Sequence, residues 1–155
     1  MWDDLDHFKL PDANMLKDKA LSTTFLSETL IEITNHYLDW AQHEPDAKEE
    51  VNKVKTSISI LEKAYNQDLQ VMLAESFNLI PEKLQKNRDL QVGWIVNNYD
   101  TFVKASDAIR EQKYLLVEKQ AKLDTIQAKM AAAKQVLDVG RSILSAMKEE
   151  LRNLS

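Results

Sequence analysis

The sequence contains no cysteine, only two glycines and three prolines, and no long apolar run. Without cysteine, a disulfide framework and a thiolate metal site are both excluded, and a reducing cytoplasm is the simplest compartment. So few glycines and prolines leave little of the turn chemistry that a sheet of hairpins requires. Gly93 and Gly140 also cannot form a glycine-rich phosphate loop. These absences favour helix throughout the chain.

Export and membrane insertion are not indicated either. The chain begins Met-Trp-Asp-Asp, which is acidic where a signal peptide requires positive charge, and no apolar segment follows. The longest uncharged, apolar-leaning stretch covers residues 90–99, about half of the ~20 residues that a membrane span needs. We therefore expect a soluble, cytoplasmic protein without a membrane association.

The length and the charge distribution limit the organisation of the chain. Its 155 residues are enough for one domain with a core, and no evident linker divides them. Residues 1–102 carry 10 Lys/Arg against 18 Asp/Glu, whereas residues 103–155 carry 10 against 7. An acidic part thus precedes a mildly basic one.

The prolines predict where the helices begin and end. Pro45 disfavours helical backbone in the preceding residue and lacks a donor, and Pro81 has the same effect further along. We predict an acidic and aromatic leader over residues 1–12 and a single helical coiled-coil domain over 13–155. Its helices are expected at about 13–43, 46–80 and 82–153.

The last predicted helix carries a continuous apolar seam. Its members recur at intervals of seven and form the predicted oligomer or helix seam: Ile95, Phe102, Ile109, Leu116, Leu123, Met130, Leu137, Leu144 and Leu151. The positions three residues further on include small residues such as Ala133 and Gly140, but also polar ones such as Lys119. Residues 97–100 could contain a break with Asp100 as N-cap, although the heptad phase continues through them.

The predicted fold class is all-α, with three helices and a last helix about twice as long as the others. The first two helices together match the third in length, which favours a long antiparallel coiled-coil hairpin. In that arrangement Phe25, Tyr37 and Trp40 of the acidic part face the alanine-rich C-terminal part, so that large residues meet small ones. The alternative is an elongated three-helix bundle in which helix one folds back on helix two.

No pattern for catalysis, a metal or a cofactor is found. His7, His36 and His43 lie in or before the first helix, and the Glu-x-x-His spacing of a helical metal site is approached only by Asp4 and His7. The many glutamates are typical of a solvated helix face, and Ser142 and Ser145 have no histidine in their helix. We expect no enzyme activity, no metal and no cofactor.

Two segments are candidates for binding. The first is the leader, where Trp2, Leu5 and Phe8 are spaced three apart among acids. They are a candidate partner-docking motif, although they could equally fold onto the protein's own helices. The second is a stripe of four cations on the last helix, placed opposite an apolar face that includes Ile143 and Met147. This candidate polyanion-binding stripe consists of Lys134, Arg141, Lys148 and Arg152.

These features predict a non-enzymatic, self-associating coiled-coil scaffold or adaptor that recruits a partner protein. A rod that is only two helices thick cannot bury all of its apolar side chains, so a homo-oligomer is expected. The alternative function is an oligomeric nucleic-acid accessory factor, of the replication or recombination mediator type, which uses the cationic stripe. A pI of about 5.2 makes nucleic acid the less favoured partner.

Overall fold

The computed structural model describes residues 10–11 and 23–154, and within them the all-α prediction is confirmed. Three α-helices are present in this part: α1 (Thr23–Glu75), α2 (Arg88–Asn98) and α3 (Asp100–Leu154). A short 3-10 turn, Phe77–Leu79, lies between α1 and α2. The described residues contain no strand.

The chain divides into two compact units. Unit one comprises residues 1–48 and 121–155, and unit two comprises residues 49–120. In unit one, Leu30 lies against Gly140 and Trp40 lies beside Lys129, so α1 and α3 run antiparallel. In unit two, two ion pairs show the same direction: Glu50 with Lys119 and Glu62 with Lys113. Each unit therefore has the predicted antiparallel packing, while a single domain over 13–155 stays a prediction.

The helix break predicted at Pro45 is wrong, because α1 continues through this residue. Pro45 is exposed, whereas Trp40 before it and Ala47 after it are buried. Packing of that buried face stabilises the helix across the missing backbone hydrogen bond, and a Glu44–Lys48 ion pair of 2.7 Å spans the same turn. The predicted helices 13–43 and 46–80 therefore belong to one helix where they are described.

Since α1 is continuous, the alternative in which helix one folds back on helix two is excluded. The two long helices also have nearly equal lengths, 53 residues for α1 and 55 for α3, instead of the expected ratio of about one to two.

The connection between α1 and α2 is longer than predicted. Helix α1 ends at Glu75 instead of residue 80, and α2 begins at Arg88 instead of residue 82. Asn87 is the N-cap of α2, and its side chain accepts a hydrogen bond of 2.8 Å from the backbone N–H of Asp89. The Gln85 amide donates to the Ile80 carbonyl at 2.7 Å, which satisfies a backbone acceptor in the connection.

A break at residues 97–100 does occur, and it lies at Tyr99. This residue has extended backbone, with φ −127° and ψ 108°, between α2 and α3. Its ring packs against Trp94 with centroids 6.3 Å apart, and its hydroxyl lies 3.4 Å from that of the buried Ser76. Ile95 and Phe102, on either side of the break, still belong to one buried cluster. The heptad phase therefore continues although the helix does not.

Candidate interaction surfaces

The predicted seam is mainly an interface within the chain. Four members are buried (Ile95, Phe102, Leu123 and Leu137), and four are half-buried (Ile109, Leu116, Met130 and Leu144). The last member, Leu151, is 56% exposed. Because α1 already covers the buried members, these side chains are not available to a second molecule. Their assignment to an oligomer seam stays a prediction.

Large and small residues meet along the seam of unit one, although Phe25, which was predicted to belong to this interface, is 43% exposed. Leu26, Leu30 and Ile33 of α1 are buried, and so are Ala133, Leu137 and Gly140 of α3. Trp40 is also buried, with the Lys129 ammonium 6.0 Å from its ring centroid and the His36 ring 6.1 Å away. Trp40 therefore belongs to the core of unit one.

The seam of unit two contains more polar residues. Lys119 lies three residues after the seam member Leu116, and its side chain is 24% exposed with its ammonium 3.1 Å from Glu50. Lys113 beside the seam lies 3.0 Å from Glu62. Further along α1, Tyr65 packs edge-on against Phe102 of α3 with centroids 5.6 Å apart. Unit two thus combines an aromatic cluster with paired charges.

Beside this seam lies an apolar depression, which we call the unit-two groove. Its volume is about 390 Å³. Its lining is Leu61, Ala64, Tyr65, Asp68, Val71, Met72, Thr101, Phe102 and Ala105. Small side chains at Ala64, Thr101 and Ala105 leave the space open, and Asp68 is the one charged residue among those that line it. The seam pattern did not predict this groove, because it depends on residues that flank the seam on both helices.

A second depression in unit one, the cationic groove, has a volume of about 300 Å³. Its lining is Thr34, Tyr37, Leu38, Lys134, Leu137, Asp138 and Arg141. It brings two of the four predicted cations together. Lys148 and Arg152 are exposed but are not among the lining residues.

Helical spacing places Lys134 and Arg141 opposite Ile143 and also beside the seam. Lys134 lies three residues before Leu137 and four after Met130, and Arg141 is placed in the same way relative to Leu144 and Leu137. Side chains at these spacings share a helix face. The two cations therefore flank the seam, and the sequence spacing could have shown this.

The cations of the groove also differ from Lys113, which occupies the equivalent heptad position in unit two. Lys113 has Glu62 as its partner, whereas no ion pair joins Lys134 or Arg141 to a carboxylate within residues 23–154. The neighbours of Lys134 and Arg141 across the groove are Thr34, Tyr37 and Leu38. Asp138, on α3 itself, is the sole acid among the lining residues. The groove is therefore a net positive, partly apolar surface.

Trp2, Leu5, Phe8 and His7 lie outside the described residues. His43 Nδ1 donates to the Asp39 carbonyl at 2.6 Å, within α1. Across the part of the chain that the structure describes, no group of three His, Asp or Glu residues could hold a metal ion. None of the helices described is long and apolar enough to cross a membrane.

Comparison with known proteins adds no assignment. The chain matches no protein-family model, no curated protein and no solved structure.

Proposed function

We propose that the protein is a non-enzymatic, self-associating helical scaffold that recruits a partner protein. The observation that carries the proposal is the unit-two groove, an open apolar surface with a single charged lining residue. Val71 lines the groove and is 53% exposed. An apolar surface of this kind is unfavourable in water, and covering it would contribute roughly 25 cal/mol per Å² of buried area.

The occupant we propose for this groove is α3 of a second copy. Unit two presents Val103, Tyr114 and Val117 on α3, all exposed, at positions that are neither in the seam nor in the groove. Their spacing of 11 and 3 residues places them on one helix face, with the Asp107–Arg110 ion pair on the same face. We call this face the α3 ridge. A ridge of side chains packing into a groove is the usual geometry of helix association.

Such an interface joins two different surfaces, so it is heterologous. A heterologous contact produces a ring if the rotation closes and an open chain of subunits if it does not. Repeated copies of one subunit are suited to a scaffold, because each copy leaves unit one available for another partner. We therefore expect assemblies larger than a dimer.

Sedimentation velocity of the full chain tests this proposal. Val71→Asp places a charge in the groove and Tyr114→Asp places one on the ridge, and each change should shift the protein toward monomer. Gln70→Asp, an exposed neighbour of Val71 outside the groove lining, is the matched control and should assemble like the unaltered chain. Because Val71 and Tyr114 are exposed, circular dichroism should show unchanged helix content in all three variants.

Mixing the two variants gives a sharper result. Val71→Asp retains the ridge and Tyr114→Asp retains the groove, so an equal mixture should form a one-to-one dimer that cannot grow. An unaltered chain that stays monomeric at high concentration would contradict self-association. Assembly that is the same in Val71→Asp as in Gln70→Asp would contradict the groove as its site.

A second candidate function, the nucleic-acid accessory factor, is favoured by one observation. Lys134 and Arg141 are exposed, have no ion pair within residues 23–154, and lie seven residues apart, about 10 Å along α3. Lys148 continues the same spacing. Unpaired cations in a row can follow a phosphate backbone, and binding should then fall steeply with added salt.

A further inference from the structure

We propose that the acidic, aromatic leader, residues 2–8 of this chain, binds in the cationic groove of unit one. The groove combines the guanidinium of Arg141 and the ammonium of Lys134 with apolar surface from Tyr37 and Leu38. Leu38 is 53% exposed, although it is a large aliphatic residue. A ligand that complements this surface must supply both carboxylates and large apolar side chains.

The leader has this composition. It supplies Asp3, Asp4 and Asp6, and its apolar residues Trp2, Leu5 and Phe8 alternate with them at intervals of three. In a helix of about two turns, residues three apart lie on the same side, so the apolar residues can face Leu38 while the carboxylates meet the cations. A simple polyanion would satisfy the charges but would leave Leu38 uncovered.

The chain length allows the contact. Thr34 at the groove lies 11 residues into α1, about 16 Å from the start of that helix. Phe8 precedes Thr23 by 15 residues, which reach about 22 Å as helix and up to about 50 Å when extended. The leader can therefore return to the groove in either conformation.

Tethering favours this occupant over an external one. A segment joined to its site by a short linker has an effective concentration in the millimolar range, so a weak contact is largely formed. An acidic protein also repels free polyanions at long range. Occupation by the leader would place its apolar residues against the protein and withhold Lys134 and Arg141 from nucleic acid. The proposal is independent of self-association, which uses unit two.

The absence of cysteine permits a direct test by disulfide cross-linking in the full chain. In Leu5→Cys/Leu38→Cys the two introduced thiols are the only ones, and they should oxidise within one chain. In the matched control Leu5→Cys/Ile60→Cys the second thiol replaces an equally exposed apolar residue of α1 in unit two. We expect the first pair to cross-link at least about tenfold faster at low protein concentration.

Charge reversal tests whether the leader binds in the cationic groove or only lies near it. Lys134→Glu/Arg141→Glu should slow the Leu5→Cys/Leu38→Cys cross-link by about tenfold, and adding Asp3→Lys/Asp4→Lys should restore it. Circular dichroism of each variant, compared with the unaltered chain, checks that the helices remain.

Three results would overturn the inference. One is an equal rate for the two cysteine pairs. Another is cross-linking between chains only, which would place the leader of a second copy in the groove. The third is loss of the cross-link on addition of an oligonucleotide at low salt, which would make the groove a polyanion site.

Discussion

Gly140 of α3 lies directly against the side chain of Leu30 of α1, so that a Cβ at this position would overlap Leu30 Cδ2. The same Cβ would also lie 3.3 Å from Leu30 Cγ. Because Leu30 is buried, its side chain has little room to move aside. This contact pairs a large residue with a small one in the seam of unit one.

We therefore predict opposite effects for the two glycines. Gly140→Ala should lower the free energy of unfolding by about 1 kcal/mol, because overpacking of ~1–3 kcal/mol exceeds the gain in helix propensity. Gly93→Ala in α2 should raise it by about 0.5–1 kcal/mol, since nothing lies within 4 Å of its Cβ. Urea unfolding of both variants measures the difference, and equal effects would contradict the Leu30 contact.

Pro45 is predicted to destabilise α1 without ending it. Pro45→Ala restores a backbone donor and removes the ring from a helix interior, so it should raise the free energy of unfolding by up to about 3 kcal/mol. Asp46→Ala, an exposed change at the next position, should have an effect below about 0.5 kcal/mol. If Pro45→Ala were destabilising, the continuous helix through this residue would be wrong.

The Lys119–Glu50 ion pair offers a test of the polar seam in unit two. Lys119→Leu should leave stability unchanged or raise it by about 1 kcal/mol, because an apolar residue suits this position next to the seam better than a cation does. Lys113→Leu removes a more exposed pair beside the seam and should change stability by less than about 0.5 kcal/mol. Thermal unfolding distinguishes them, and a large loss in Lys119→Leu would show that the pair is essential.

The nucleic-acid alternative has its own prediction. If it is correct, single- or double-stranded oligonucleotide should bind at about 50 mM salt and dissociate as salt is raised. Arg141→Glu/Lys148→Glu should abolish that binding, while Lys104→Glu, an exposed cation of unit two, should leave it largely intact. Fluorescence anisotropy measures each, and no binding of the unaltered chain at low salt would end the alternative.

Heptad spacing predicted the seam, and the limits of that spacing explain which features of the fold the sequence did not predict. Heptad spacing predicts which residues share a face, and every seam member except Leu151 is at least half-buried. It does not report a one-residue interruption such as Tyr99, because the phase is preserved across it. Spacing also places Lys134 and Arg141 beside the seam, but it does not show that they share a groove with Tyr37 and Leu38 of α1.

The grooves were beyond sequence reasoning for a different reason. Each groove is lined by residues from both α1 and α3, so it depends on the antiparallel register of the two helices. This register places Thr34 near Arg141 in the cationic groove and Ala64 near Ala105 in the unit-two groove. No periodicity in a single helix contains that register. The leader's Trp2, Leu5 and Phe8 remain a prediction based on the sequence and on the groove that would receive them.

By itself the sequence determined that this protein is helical and which face of its last helix is apolar, because composition and spacing act locally. Only tertiary structure decided that α1 passes through Pro45, since burial of Trp40 and Ala47 outweighs a local helix-breaking preference. Tertiary structure also decided that the seam is covered by the chain's own helix. The register between α1 and α3 then left one groove apolar and the other positively charged, because register determines which flanking side chains meet.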